Sequence, residues 1–335
     1  MGKYHTLNDL ANLFGVAPST VSRALKDNPR IGKSLRVKIQ KKAKELGFRP
    51  NRFANILQTN KSRLIGMIVP DITLHFYMRI VKEVEHILSE NGYELILANS
   101  NESGKLEKKI INRLIEQRVD GVLAAISFQT TNTDHFKELL NLNIPLVFFD
   151  RVDNFLPVPK IISDDYQAAF DAVTHLIKSG CSTIAHITGT KNLNNSNNRL
   201  YGYLDALQKH QIPVHDDLIL YYKFDQTAID KFLDKVTVKH PELDGIFVFN
   251  DYAANRATQH LLKIGKKIPE QISIIGFSDE PVASYMTPQL STVQDISSKM
   301  GSMACDQLFH MIDNDVLLDE KHTISQELVL RGTTK

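Results

Sequence analysis

The sequence predicts an N-terminal all-α helix-turn-helix domain followed by a C-terminal α/β body of two subdomains. Three observations carry that prediction. Charge is divided unevenly along the chain. Two short amphipathic helices flank a tight glycine turn near the N-terminus. From residue 64 onward, short apolar runs alternate with helical stretches.

The 335 residues hold 40 Lys/Arg against 38 Asp/Glu, a net of only +2. Residues 1–60 hold 12 basic and 3 acidic residues, a net of +9, and the remaining 275 hold 28 and 35, a net of −7. A small basic head on a mildly acidic body points to nucleic-acid binding by the head. The length suits two or three domains, each with its own core. No apolar run reaches the roughly 18 residues of a membrane span, and the N-terminus lacks the apolar stretch of a signal peptide. Cys181 and Cys305 therefore read as reduced thiols of a cytoplasmic protein.

In the head, Thr6 is placed to cap a helix, with Asp9 three residues on near its positive end. Leu7, Leu10 and Ala11 share one face, and Gly15 suits a left-handed helix stop. Pro18 fits the first turn of a second helix whose apolar stripe is Val21, Ala24 and Leu25. Ser19, Ser22 and Arg23 are left outside. Two such helices form a helix-turn-helix, whose second helix enters the major groove. A third helix, about Leu35–Leu46, is studded with Lys and Arg. A solvated helical bundle is the alternative; the basic excess and the bare polar face of the second helix favour DNA.

Three blocks then match in order and spacing: Thr6-Leu7-x-Asp9-Leu10-Ala11, Val16-x-x-x-Thr20-Val21-Ser22-Arg23 and Pro50-Asn51-x-x-Ala54-x-x-Leu57. Together they resemble the lactose-repressor (LacI–GalR) family of bacterial transcription regulators. The resemblance implies that Pro18, Ser19 and Arg23 hold base-reading positions, with Thr6, Thr20 and Ser22 also at the DNA. It makes residues 51–58 a hinge helix, with Asn51 and Ala54 on it and Leu57 as the wedge in the minor groove. An apolar wedge unstacks base steps and kinks the duplex. About eight residues are too few for an isolated helix in water, so hinge folding is expected to need DNA and a second hinge. Gly32 departs from the family's usual Ser at the third helix's cap, and Leu35 from a common Thr. The expected division is 1–48 DNA-binding domain, 49–62 hinge helix and linker, and 63–335 ligand-binding and dimerisation domain.

In the body, apolar runs at Leu64–Pro70, Tyr93–Asn99, Gly121–Ser127, Pro145–Asp150, Thr183–Gly189, Gly245–Asn250 and Ser273–Phe277 read as strands. Helical stretches lie near 76–91, 104–117, 165–179, 199–210, 226–239 and 251–264. Such alternation means parallel sheets covered on both faces, and the strand count suits two subdomains. Ligands bind beyond the carboxyl ends of such strands, where Asp150, Asn250-Asp251 and Ser278-Asp279 stand. Any one of these alone reads first as a helix N-cap after a βα loop; it is their convergence on one cleft that the ligand reading needs. The body resembles the family's ligand domain, of the type I periplasmic-binding-protein-like fold, through Arg199-Leu200-x-Gly202-Tyr203, Asn250-Asp251-x-Ala253, Ile275-Gly276-Phe277-x-Asp279 and Pro288-x-Leu290-Ser291-Thr292-Val293. That resemblance implies that Phe76 and Phe224 line or stack on a ligand and that Asp150, Arg199 and Asn250 hydrogen-bond it. Sugars call for this mixture of aromatic faces and polar groups. Ser278 stands where many members have Asp, and Asp279 follows. Losing that anion while keeping Arg199 favours an acidic or atypical ligand, so the expected class is a sugar or sugar acid. Asn192–Asn198 reads as a polar loop, either at the cleft rim or simply solvated.

No Gly-x-Ser-x-Gly, Walker loop, His-Glu-x-x-His or Gly-x-Gly-x-x-Gly occurs, and the 12 His are scattered. The expectation is therefore no enzyme, no cofactor and no metal. The sequence thus reads as a sequence-specific DNA-binding repressor, a homodimer on a pseudo-palindromic double-stranded operator, controlled by a small-molecule carbohydrate effector and with no membrane partner. Lys33, Arg36, Lys38 and Lys41 are phosphate-contact candidates. No leucine heptad follows the last family-like block, Glu327-Leu328-Val329-x-Arg331, so a dimer is expected rather than a coiled-coil tetramer. A solute-binding protein without a DNA role is the rival; it leaves the basic head unexplained.

Overall fold

In a computed structural model of the chain, residues 6–48, 61–223, 225–314, 316 and 319–335 are described. Contacts divide it into two compact units, Met1–Ser62 and Arg63–Lys335. The first contains α1 (Leu7–Phe14), α2 (Pro18–Leu25) and α3 (Lys33–Glu45). Thr6 and Asp9 form a reciprocal capping box at the start of α1, and Gly15 closes the helix in the left-handed region at φ 62°. Pro18 opens α2. Leu10, Ala11, Val21, Ala24, Ile39 and Ala43 form a small core of their own. It holds α2 against its neighbours by one apolar stripe, leaving the opposite face to solvent.

The second unit has two lobes. In the first, β1 (Leu64–Val69), β2 (Glu94–Asn99), β3 (Gly121–Ala124), β4 (Leu146–Phe149), β5 (Lys160–Ser163) and β11 (Lys321–Ile324) form a sheet ordered β11-β5-β4-β3-β1-β2. Each of its pairings is parallel. The helices α4 (His75–Glu90), α5 (Gly104–Glu116), α6 (Asp134–Asn141) and α12 (Ser297–Asn314) belong to this lobe, and α12 packs on α4. At Gly301 an added Cβ would come within 3.2 Å of Ile80 O and of Glu83 Cβ, so the glycine lets the two helices approach closely.

The second lobe carries β6 (Ile184–Thr188), β7 (Ile219–Tyr221), β8 (Gly245–Val248) and β9 (Ser273–Ile275) in the parallel order β7-β6-β8-β9. Its helices are α7 (Asp165–Lys178), α8 (Asn194–Lys209), α9 (Gln226–Lys239), α10 (Asp251–Lys263) and the short α11 (Pro281–Tyr285). A two-stranded antiparallel piece, β10 (Thr292–Val293) with β12 (Leu328–Val329), completes it. The chain crosses between lobes three times: from β5 to α7, from β10 to α12 and from β11 to β12. A pair of lobes joined by a few crossing segments is the architecture in which hinge motion occurs.

All seven expected strand runs are strands. The polar stretch 192–198 is a correction: α8 begins at Asn194, five residues before the expected helix. Asparagine is a poor interior helix former, but a first turn tolerates side chains occupied elsewhere. Asn194 and Asn195 are so occupied, as described below.

Candidate functional site

The outward face of α2 carries Pro18, Ser19 and Arg23 exposed, with Thr20 and Ser22 half-buried. Thr6 is exposed, and its hydroxyl accepts the Asp9 N–H at 3.2 Å, so this side chain serves first as a cap. Lys33, Lys38 and Lys41 are exposed along α3. Arg36 departs from them: its Nε lies 2.8 Å from Asp27 Oδ1 and its Nη1 donates to Asn28 O at 3.3 Å. It braces the connection between α2 and α3. Asn51, Ala54 and Leu57 lie outside the described residues.

A narrow cleft lies between the lobes of the body. Phe76, Asp150, Arg199, Asn250 and Ser278 all line it. Residues from five separate chain regions thus meet at the carboxyl ends of the strands, as a doubly wound fold requires. Phe224 lies outside the described residues. Asp279 is a correction: it is not in the lining, and its Oδ1 pairs with Arg331 Nη2 at 2.7 Å.

The geometry of each group follows from its neighbours. Asp150 ends β4 in the left-handed region at φ 57°, a conformation that Asp tolerates. Its Oδ2 accepts the Tyr77 hydroxyl at 2.6 Å, and its Oδ1 accepts Asn195 Nδ2 at 3.2 Å. Burial holds Tyr77 well above the usual phenol range, keeping it a donor. Asn194 adds two ties, accepting the Val152 N–H at 3.0 Å and donating to Asp150 O at 3.2 Å. Asn194 and Asn195 belong to one lobe and Asp150 to the other, so these bonds span the cleft.

Arg199 is buried and fixed on three sides. Its Nη2 lies 2.7 Å from Asp165 Oδ1, its Nη1 donates to Phe249 O at 2.6 Å, and its guanidinium stacks 3.5 Å from the Phe277 ring centre. Burial pushes Asp165 up to about 6, against the pull of Arg199. Asp165 supplies the counter-ion that the sequence reading did not foresee, and this removes the surplus positive charge behind the expectation of an acidic ligand. Arg151, also in the lining, is matched by Glu102 at 2.7 Å.

Asn250 Oδ1 caps α10 by accepting the Ala253 N–H at 2.8 Å, and the residue also lines the cleft. Asp251 is fully buried behind the 277–280 loop. It accepts the Thr292 hydroxyl at 2.6 Å and the Glu280 N–H at 2.7 Å. An added Cβ at Gly276 would fall 2.1 Å from Asp251 Oδ1, so the glycine admits this carboxyl. The loop carries Ser278 at φ 96° and Asp279 at φ 43°. Its strained shape is set by Asp251 and turns Ser278 and Glu280 toward the cleft.

Glu280 is the largest omission of the sequence reading. Its Oε1 accepts the Phe76 N–H from the opposite lobe at 3.1 Å. Tyr77, Asn195 and Asp165 were likewise unforeseen. Only the polar run 192–198 hinted at any of them.

A basic three-helix head followed along the chain by a two-lobed α/β body with an interlobe cleft is the architecture of a two-part DNA-binding regulator. The comparisons agree along the chain. Residues 6–51 match the family model for bacterial regulatory proteins of the lacI family, and residues 62–329 match that for periplasmic binding proteins and the sugar-binding domain of the LacI family. The ribose operon repressor of Halalkalibacterium halodurans is 30% identical over 98% of this chain and 97% of its own. The Alkaliphilus metalliredigens periplasmic binding protein/LacI transcriptional regulator, solved with D-xylulofuranose, is 28% identical at a TM-score of 0.72, covering 82% of this chain and 99% of that one. The lac repressor dimer bound to operator shares the fold, with a TM-score of 0.87, 24% identity and 99% of each chain covered. The chain belongs to the LacI family; it is a DNA-binding transcriptional repressor of that family and not an enzyme.

Proposed function

We propose that this repressor is a homodimer that holds a pseudo-palindromic operator through α2 and a hinge at 49–62, and that a sugar or sugar acid in the cleft controls its operator affinity. The observation that carries the effector reading is the meeting of Phe76, Asp150, Arg199, Asn250 and Ser278 in one interlobe cleft. Aromatic faces there suit C–H surfaces, and buried amides and carboxylates suit hydroxyls. The relatives named for ribose and solved with a pentulose accord with it.

Lobe closure is the switch in this reading. An effector shifts the closure equilibrium by its differential affinity for the two states, typically about 1–3 kcal/mol of coupling. In a dimer this changes the spacing of two hinges, which fold or melt on the DNA. A second copy has exposed apolar side chains to cover, Leu97 on edge strand β2 and Tyr285 among them. The cell compartment proposed is the cytoplasm, at the nucleoid when operator is bound.

The experiment is a titration of the full chain against DNA from upstream of its own gene, with and without each member of a sugar panel. The reading expects at least a fivefold change in operator affinity with one member. Unchanged affinity across neutral sugars and sugar acids overturns carbohydrate control.

A further inference from the structure

We propose that Glu280 is the side chain that selects the effector, its free oxygen taking a hydroxyl of a neutral polyhydroxylated molecule. This deepens, and rests on, the carbohydrate reading of the cleft.

Four observations meet at this residue. Glu280 lines the cleft with a side chain only 5% exposed. One of its oxygens is already used across the cleft by the Phe76 N–H, at 3.1 Å. The other, Oε2, is buried with no hydrogen-bond partner among the described residues, and His75 Nδ1 is 3.9 Å away. A buried carboxylate oxygen left without a donor is costly, so the site is completed by a ligand that brings one. A sugar hydroxyl is such a donor.

The charges around the cleft point the same way. Arg199 is taken by Asp165, and Arg151 by Glu102. Asp150 and Glu280 remain as the carboxylates that face an incoming molecule, and Asp150 already accepts two hydrogen bonds. Among the described residues each lining guanidinium already meets a carboxylate, Arg151 also standing 3.9 Å from Asp150, so the cleft offers a neutral molecule hydrogen-bonding groups without a surplus of positive charge. Ser278, two residues before Glu280, offers only a hydroxyl. The Glu280 carboxylate thus supplies the acid that position 278 lacks. Because its other oxygen holds the Phe76 N–H, the same side chain ties ligand recognition to lobe closure.

The test is isothermal titration of the full chain with D-ribose, D-xylulose, D-glucose, D-galactose and cellobiose, and with D-gluconate, D-glucuronate and D-galacturonate. The deoxy analogues of the tightest binder follow, on wild type, Glu280→Gln and Glu280→Asp. Expected is a neutral binder that weakens roughly 10- to 100-fold with Glu280→Gln, the size of a lost hydrogen bond to a charged group, and less with Glu280→Asp. For one deoxy analogue the Glu280→Gln loss should shrink to under about threefold, which a merely structural role would not produce. A Gln variant within threefold of wild type, or one weakened equally toward every deoxy analogue, overturns the assignment. A sugar acid that binds where neutral sugars do not also overturns it, while leaving the carbohydrate reading intact. No binding by any member of the panel removes that reading and the Glu280 assignment with it.

Discussion

Arg199 and Asp165 form a buried ion pair, Nη2 to Oδ1 at 2.7 Å, between the start of α7 and the middle of α8. Removing one partner of such a pair costs more than the pair contributes, because the other stays buried and charged. Arg199→Ala is therefore expected to abolish the effector response and also to lower stability by about 3 kcal/mol. Asp165, already up at about 6 with Arg199 present, rises further without it. A raised carboxyl contributes stability below its unfolded value and loses it as pH rises through the folded one, so the deficit should grow from pH 5.5 to pH 8. Thermal unfolding at both pH values checks this, and effector-free operator affinity should stay within about threefold of wild type. An equal deficit at both pH values would remove the ion-pair account.

Glu280 gives a second pH signature. Desolvation pushes its carboxyl up to about 7, with the Phe76 N–H and Arg79 pulling it down and Asp295 pushing it up; His75, Asp251 and Tyr252 also face it. A raised folded value means that its stabilising share is complete below the unfolded value and is lost as pH rises toward and through about 7. Wild type should therefore lose thermal stability relative to Glu280→Gln between pH 5 and pH 8.5. A constant difference over that range contradicts the burial argument.

Leu57 is assigned the minor-groove wedge from its place in the Pro50–Leu57 block. Leu57→Ala should weaken specific operator binding by tenfold or more, by order of magnitude for a lost unstacking wedge. Binding of effector to the cleft should be unaffected. Wild-type operator affinity in the variant would take the wedge role away.

The head leaves Arg23, Lys33, Lys38 and Lys41 exposed once Arg36 is committed to Asp27. Roughly four phosphates per head, at about −0.9 each, give a dimer slope of log K against log salt near −7. A slope near −2 contradicts this use of the basic residues.

Much of this architecture is readable from the chain. The strands β1, β2, β3, β4, β6, β8 and β9 announce themselves because strands of a doubly covered parallel sheet are continuous apolar runs. β5 escaped notice because it opens on Lys160, whose ammonium is buried by bonds to Leu156 O, Val158 O and Asp319. β11 is a polar edge strand. The 18-residue α12 was missed because Gly301 and Ser302 dilute its apolar stripe, the glycine serving the approach to α4. In the cleft, Phe76, Asp150, Arg199, Asn250 and Ser278 were legible from motif positions. Glu280 was not, since a Glu before Pro281 reads as the lead-in to a helix. Asp165 and Asp279 show the same limit: which carboxylate meets which cation is decided by packing between distant segments.

The central claim is that occupancy of the interlobe cleft sets operator affinity. Its most direct measurement is fluorescence anisotropy of the full chain on its own upstream operator, for wild type and Glu280→Gln, with a saturating neutral sugar from the panel and without it. The account predicts a change of at least fivefold for wild type, and a sugar concentration for half-effect raised at least tenfold in the variant. Equal operator affinity with and without bound sugar, in a wild type shown by titration to be saturated, would contradict it.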